Sequence, residues 1–416
     1  MKFVFKLLSL AIVWNSPLYL QAQDGMSLLE IRGKHQTKII SQTPIEEDYP
    51  EPPKDSGLKL VKYKTDLGDM LAYITPPPKE GEKVPAVIWL TGGFPVASPG
   101  SFVWEQTTLE NEQTCRVYRY SGLAMMFPTV RGSIKENPGK SEHFYGEVND
   151  VIKAYDYVAS LPYVDKQRIY LGGHSTGGTL ALLVAESTDK FAGVISLGPV
   201  AKDYGKDYAT HEWNDTERKL RHPILYLDSI KTPTYIIEGV HGNSSAIEQM
   251  KKVNKNPKVK LITVKSADHF NCIHPVNSLF TEAILNSKNG KLDIKRELIE
   301  KSYLTARKRQ LEVKDLKALT QARTDGTDFH QEQTLLYYFY ASTKTDLTAI
   351  KSRLQKAGFN HFISKKQSDE NGEYVLICVE RKLNLLDLQQ VFGTSAVCQS
   401  IADESKIYYD EWLINK

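Results

Sequence analysis

The chain has 416 residues, 41% of them hydrophobic and 25% charged, which excludes wholesale disorder and fibrous structure. Its 53 basic and 50 acidic residues leave a net charge of +3, too balanced to point to nucleic acid or another strongly anionic partner. At ~150 residues per domain the length allows two or three domains. The four cysteines form no CxxC pair, so neither a zinc ribbon nor a disulfide framework is expected, although Cys378 and Cys398 could bridge in an oxidising compartment.

At the N-terminus, Lys2 and Lys6 precede the apolar run Leu7–Trp14, which Asn15, Ser16 and Pro17 interrupt before the small residue Ala22. A basic start, a short apolar stretch and a small residue form the pattern of a secretory signal peptide, here residues 1–22. The run is shorter than the ~20 apolar residues a bilayer span needs. The expectation is an exported protein, periplasmic or extracellular, with no membrane span once the signal is removed. Residues 23–57 are polar and proline-bearing, an extended N-terminal arm.

Leu58–Lys64 and Met70–Thr75 alternate around Gly68 and read as an antiparallel pair. Apolar bursts follow at Val84–Leu90, Gly122–Phe127, Arg168–Leu171, Phe191–Leu197 and Pro233–Ile237. Runs this continuous suit strands buried on both faces of a parallel sheet. Helical patterns at Val148–Leu161, Gly177–Glu186 and Ala246–Val253 complete a β-α-β rhythm that extends to the strand Val259–Val264. Pro199–Lys231 interrupts it and is too long for an ordinary connection, so a lid or specificity loop is expected there.

Lys291–Arg323 carries ten basic and five acidic residues, with Leu298, Leu304, Leu311 and Leu319 at helical intervals; it reads as a solvated basic helical linker, 291–324. Beyond it the order is strand (Thr334–Tyr340), helix (Leu347–Ala357), strand (Asn360–Ser364), strand (Tyr374–Glu380), helix (Leu385–Ala402), strand (Ile407–Leu413). That is the β-α-β-β-α-β plan of a ferredoxin-like α+β domain, 325–416. Alternation within the sheet accounts for the aromatic run Tyr337–Tyr340.

The most specific chemical signal is Gly173-His174-Ser175-Thr176-Gly177, a G-x-S-x-G between a buried strand and a helix. In that context the turn lifts a serine above the sheet, flanked by glycines because nothing larger fits. Serine needs a base to become a nucleophile. His269 follows the last strand, at the break from strand to loop; His274 lies five residues on. His269, His274 and Cys272 lack the further ligands of a metal site, and no cofactor is implied. Oxyanion donors are expected at the backbone N–H of Thr176 and in the loop Thr91-Gly92-Gly93-Phe94-Pro95, with Gly93 and Thr91 as its contributors.

Together with the Thr91–Phe94 loop, Pro128–Ser133, Gly146-Glu147, Asp150, Leu161–Ile169 and Ala267–Phe270, these residues resemble the α/β-hydrolase catalytic domain of the prolyl oligopeptidase and acylaminoacyl-peptidase group. The resemblance covers about Leu58 to Asn286, within an expected hydrolase domain of residues 58–290. It implies a mostly parallel sheet with helices on both faces and a serine hydrolase acting on a small ester or peptide, most readily a peptide. The family's N-terminal propeller has no counterpart ahead of these strands. Two positions depart from the family pattern. Thr91 stands where Tyr or His is usual, and the family's acid position, three residues past Gly239, is Gly242. Glu238 at the strand end is the replacement favoured here, with Asp203 and Asp207 as alternatives. The missing acid also leaves a second reading, a non-catalytic binding protein with a degenerate hydrolase fold. Asp325-Gly326-Thr327-Asp328 and Tyr408-Tyr409-Asp410-Glu411-Trp412 resemble the RraB family, regulators of ribonuclease E activity, which implies a protein partner for the C-terminal domain rather than catalysis.

Overall fold

The computed structural model describes residues 27–42, 49–78, 81, 83–105, 108–265, 267–287, 289–369 and 372–415; the expected signal peptide, 1–22, lies outside them. Helix α1 (Leu28–Arg32) begins in a capping box: Glu30 N–H donates to the Ser27 side chain, and Ser27 N–H to the Glu30 carboxylate. β1 (Lys59–Thr65) and β2 (Gly68–Ile74) form a hairpin. Then come β3 (Val84–Leu90), α2 (Arg116–Tyr120), β4 (Ala124–Pro128), α3 (Glu147–Ser160), β5 (Val164–His174), α4 (Thr176–Ser187) and β6 (Gly193–Leu197). α5 (Asp215–Lys219), β7 (Thr234–Gly239), α6 (Ser244–Val253), β8 (Val259–Val264) and α7 (Ile273–Asn286) complete this part.

Its eight strands run in the order β1-β2-β4-β3-β5-β6-β7-β8. β1 and β2 are antiparallel to their neighbours, and every pair from β4 across to β8 is parallel. Chain order reverses between β3 and β5: β4 is laid on one side of β3, and β5 onward on the other. In open parallel sheets such a switch point, at the carboxyl ends of the strands, opens a crevice. Two apolar clusters, one on each face, explain the continuous apolar runs. Every residue of α4 is buried, and its Leu180, Leu182, Leu183 and Val184 each contribute roughly 1.5–3 kcal/mol by leaving water.

The insertion after β6 is held by the N-terminal arm. Buried Arg32 donates from Nη2 to Leu220 O (2.6 Å) and from Nη1 to Tyr145 O (3.2 Å). Glu217 on α5 accepts from Thr37 Oγ1 (2.7 Å), Lys38 N (3.0 Å) and Arg221 Nη1 (2.7 Å), and lies 3.0 Å from His35 Nε2. Burial opposes its charge, yet the hydrogen bonds from His35, Thr37 and Arg221 hold its carboxyl down at about 2. Ile39 bridges to His211, and Ile40 N donates to Thr210 O (2.8 Å).

α8 (Arg296–Thr324) is one continuous helix of 29 residues. Ile299 and Tyr303 join the core beside α7, whereas Leu319 and Ala322 are buried at its far end, with Leu319 in the core of the following unit. Leu298 and Leu304 are exposed, as in a solvated helix. The helix is buried along different stripes because it passes from one core to the other. β9 (Glu332–Ser342), α9 (Leu347–Lys356), β10 (Asn360–Asp369), β11 (Gly372–Asn384), α10 (Leu388–Ser405) and β12 (Tyr408–Ile414) follow, as an antiparallel sheet ordered β10-β11-β9-β12. α10 starts three residues later than its hydrophobic pattern suggested, because Asp387 caps it through Gln390 N.

The Cys378–Cys398 bridge that the sequence permits is not formed; both thiols are free. Cys398 sits in the core, whereas Cys378, between inward-facing Ile377 and Val379, belongs to the opposite sheet face.

Candidate active site

Strand β5 passes into α4 through the single residue Ser175, whose φ of +58° and ψ of −118° lie where side chains are strained. The surrounding glycines leave no alternative residue. A Cβ on Gly173 would stand 2.4 Å from Gly177 O, one on Gly177 2.1 Å from Leu90 O, and one on Gly178 2.3 Å from Leu197 O. Ser175 N donates to Leu197 O (2.8 Å), fixing the turn to the end of β6.

The loop after β3 lies against this turn: a Cβ on Gly92 would be 3.0 Å from Ser175 Cβ. Thr176 Oγ1 donates to Gly93 O (2.6 Å), so the Gly93 carbonyl is occupied and the loop is pinned to the start of α4. The N–H of Thr176 belongs to the first turn of that helix, whose N–H groups lack intrahelical partners. Thr91 is 1% exposed, and its hydroxyl is enclosed without a hydrogen-bond partner.

Glu238, fully buried at the end of β7, carries the next contact. Its Oε2 lies 2.8 Å from His269 Nδ1 and accepts from Asn243 N (2.9 Å), while its Oε1 accepts from Gly239 N (2.7 Å). The space at Gly242 is already taken: a Cβ there would stand 2.5 Å from Glu238 Oε1. Gly198 is bare for a related reason, since a Cβ on it would meet His269 Cε1 at 2.5 Å and Glu238 Oε2 at 3.0 Å. Asp203 is engaged elsewhere, with His222 Nε2 (2.5 Å) and Arg218 Nε (3.1 Å). Asp207 lies on the exposed insertion, at the rim of a cleft. His274 is partly buried with Nδ1 unpaired, and among the described residues no group of three His, Cys, Asp or Glu could hold a metal.

His174 is a participant that the motif contains but sequence reasoning passed over. Its ring lies 4.5 Å from that of His269, tilted by 43°, and its Nε2 donates to His269 O (2.8 Å). Burial, reinforced by the His269 charge, pushes its pKa down to about 3, so the ring stays neutral and holds the His269 backbone without competing for its proton. Its position as the first variable residue of G-x-S-x-G was the available signal. Asn243 was also missed; its backbone N–H role has no signature in side-chain chemistry.

Beside the Gly92–Gly93 loop opens a cleft of about 240 Å³ lined by Ser41 and Gln42 of the arm, Phe94, Ser141, His143 and Tyr208. Phe94 stacks on Tyr208 at 5.0 Å and meets Tyr204 edge-on at 5.2 Å. Burial, with help from Arg221, brings His143 down to about 3 and keeps it neutral.

With this geometry in view, comparison with known proteins is direct. Residues 120–272 match the model of the prolyl oligopeptidase family, and residues 314–413 that of regulator of ribonuclease activity B. The chain joins a prolyl oligopeptidase-type segment to an RraB segment. No curated protein matches it. Similar solved structures include an acylaminoacyl peptidase in complex with Z-Gly-Gly-Phe-chloromethyl ketone, at 19% identity and TM-score 0.46, covering 59% of this chain and 43% of that one. The acylaminoacyl peptidase of Pyrococcus horikoshii gives 17% identity and TM-score 0.45, covering 58% and 44%. Dipeptidyl peptidase 4 of Porphyromonas gingivalis gives 16% and 0.45, covering 57% and 36%. The chain thus spans less than half the length of these three proteins. The peptidase-family match ends within the loop that carries His269, so it includes Ser175, Glu238 and His269.

Proposed function

We propose that this protein is a serine hydrolase of peptidase type in which Ser175, His269 and Glu238 act as nucleophile, base and acid. The observation that carries this reading is the 2.8 Å contact between Glu238 Oε2 and His269 Nδ1, made by a carboxylate whose two oxygens each also accept a backbone N–H. A carboxylate on Nδ1 selects the tautomer whose Nε2 can accept a proton, and it stabilises the imidazolium that results. Ser175 Oγ attacks the substrate carbonyl carbon as its proton passes to His269 Nε2. The negative charge that develops on the carbonyl oxygen is taken by the N–H groups of Thr176 and Gly93. The imidazolium then protonates the departing amine or alkoxide, leaving an acyl-Ser175. Water, deprotonated by His269, releases the acid and restores the serine.

Supporting a peptide over a simple ester is the family match over residues 120–272. The cleft beside Phe94 suits an apolar or aromatic group next to the scissile bond, and the arm residues Ser41 and Gln42 limit its length. The binding-protein alternative rests on glycine at 242, and the Glu238 carboxylate standing in that space supports the catalytic reading over it. The N-terminal pattern supports export; fractionation together with a mature N-terminus at residue 23 tests it. The decisive experiment is labelling with a fluorophosphonate probe. Wild type should be labelled and Ser175→Ala should not, with turnover of a chromogenic peptide falling roughly 10⁶-fold. Absence of labelling in the wild type would sink the enzymatic reading.

A further inference from the structure

The four-stranded sheet of the RraB segment is covered on one face only. Leu335, Tyr337, Phe339 and Ala341 of β9 and Val375, Ile377 and Val379 of β11 point into the core with α9 and α10. The intervening residues face the other way, and the strand register arranges them in rows. Tyr408, Tyr340, Leu376 and Lys365 form one row across all four strands. Tyr338, Cys378 and Ile363 form the next, and Leu413, Leu336 and Glu380 the third. Tyr408, Leu413 and Ile363 are 53%, 50% and 62% exposed, and the remaining apolar residues are half-buried. Tyr340 lies 5.5 Å from Tyr374 and 6.2 Å from Tyr408, ring to ring, so the patch is continuous.

Charge is divided between its two edges. β10 carries the exposed Lys365 on this face, whereas Lys366, in register with inward-facing Val375, lies on the covered side. β12 carries Asp410 and Glu411 at the bulge between Tyr409 and Trp412, and both carboxylates bear on the Tyr340 phenol, placing them on the open side. A nucleic acid would meet these two acids and Glu380 among the cations Lys365 and Lys382 on the same face, which offers it no continuous basic track. A second copy of the chain meets complementary charge. A twofold axis parallel to the strands, between β11 and β9, lays β10 of each copy over β12 of the other at the same height. Lys365 then stands over Tyr408 of the other copy, within side-chain reach of Asp410 and Glu411 about one row along, twice, and the Tyr340–Leu376 row packs on its own image.

We propose that this open sheet face is a self-association surface, through which two copies of the chain pack sheet to sheet. With strands ~4.8 Å apart and ~3.4 Å per residue, the patch measures roughly 400 Å² in plan. That lies within the ~300–600 Å² of the largest apolar patch on a typical monomer, a size that often marks a functional surface. It is smaller than the ~800 Å² per partner of a standard stable interface, so the dimer forms in the micromolar range and dissociates on dilution.

Sedimentation velocity of the full chain, over a dilution series across the micromolar range, tests the proposal. Wild type should pass from dimer to monomer, and Leu376→Asp should remain monomeric at every concentration while keeping its fluorophosphonate labelling. Lys365→Glu alone and Asp410→Lys with Glu411→Lys should each weaken the dimer at least tenfold, and mixing the two variants should restore it as a heterodimer. Either of two results overturns the proposal: a wild type that stays monomeric throughout, or a dimer indifferent to Leu376→Asp and to the charge reversals. A fluorescent oligouridylate that binds wild type at physiological salt and is lost with Leu376→Asp would overturn it in favour of a nucleic-acid platform.

Discussion

The two sheets of this chain bury their residues in opposite ways. In the eight-stranded sheet the central strands are covered on both faces, and β4, β6 and β7 are buried at every position. In the four-stranded sheet β9 and β11 alternate, one side in the core and the other open. Covering both faces leaves only the strand ends for polar chemistry, and there the first unit concentrates Ser175, His174, Glu238 and His269. Leaving one face open gives the second unit a surface instead of a pocket. Its own buried acid, Asp315, is structural: Oδ1 accepts from Ser395 Oγ (2.7 Å) and Trp412 Nε1 (2.8 Å), tying α8 to α10 and β12.

Substitutions that touch one unit and spare the other sharpen this contrast. The largest effect is expected from Glu238→Gln, which keeps the shape but loses the charge facing His269; kcat/KM should fall roughly 10⁴-fold. The unfolding of the RraB segment should not change, and an activity within tenfold of wild type would assign the acid's role to another group. Gly242→Ala comes next. Its methyl would press on Glu238 Oε1 and displace the carboxylate, so activity should drop about 10²-fold, chiefly in kcat, because a misplaced acid disturbs the transition state more than substrate binding.

In the second unit, Asp315→Ala strands the Trp412 N–H and the Ser395 hydroxyl. It should cost about 2 kcal/mol in the unfolding of that unit, read by Trp412 fluorescence, with fluorophosphonate labelling unchanged. A loss of labelling would mean that the two units unfold together through α8.

The smallest effect is a pH dependence. Burial pushes Glu147 at the start of α3 up to about 7 from an ordinary 4.5. Its folded pKa is raised, so its contribution is fully present below 4.5 and is lost as pH rises through 7. Glu147→Gln should flatten the fall in stability of the hydrolase unit over that window and leave the RraB segment's transition where it is. Chemical denaturation at a series of pH values measures both.

How much of this was legible in the sequence follows the same division. Continuous apolar runs such as Val84–Leu90 announce strands covered on both sides, and the glycines around Ser175 announce a turn without room for side chains. Both are local consequences of residue type. Tyr337–Tyr340 reads as core because alternation shows that one face is buried, but it cannot show that the other is left open. Exposed Leu298 and Leu304 fit the solvated helix that the charge pattern suggests; that pattern cannot show that α8 serves two cores in succession, with Ile299 and Tyr303 in one and Leu319 in the other.

The site divides likewise. Chain order and strand ends brought out Ser175 and His269. Glu238 could only be preferred over Asp203 and Asp207, since a partner 31 residues away is chosen by tertiary packing. His174 and Asn243 were overlooked because each contact involves a backbone atom, the His269 carbonyl in one case and the Asn243 N–H in the other.

By itself the sequence determined a serine on a strand-to-helix turn, a histidine after the last strand, the strand order along the first unit and the strand and helix order of the second, because tight turns and buried strands restrict residue type locally. Only the tertiary structure decided that Glu238 reaches His269, that Gly242 is bare to admit it, and that an aromatic sheet face lies open with opposite charges at its edges. Those facts depend on which atoms share the same few ångströms after the chain has folded, and residue types along the chain do not record that.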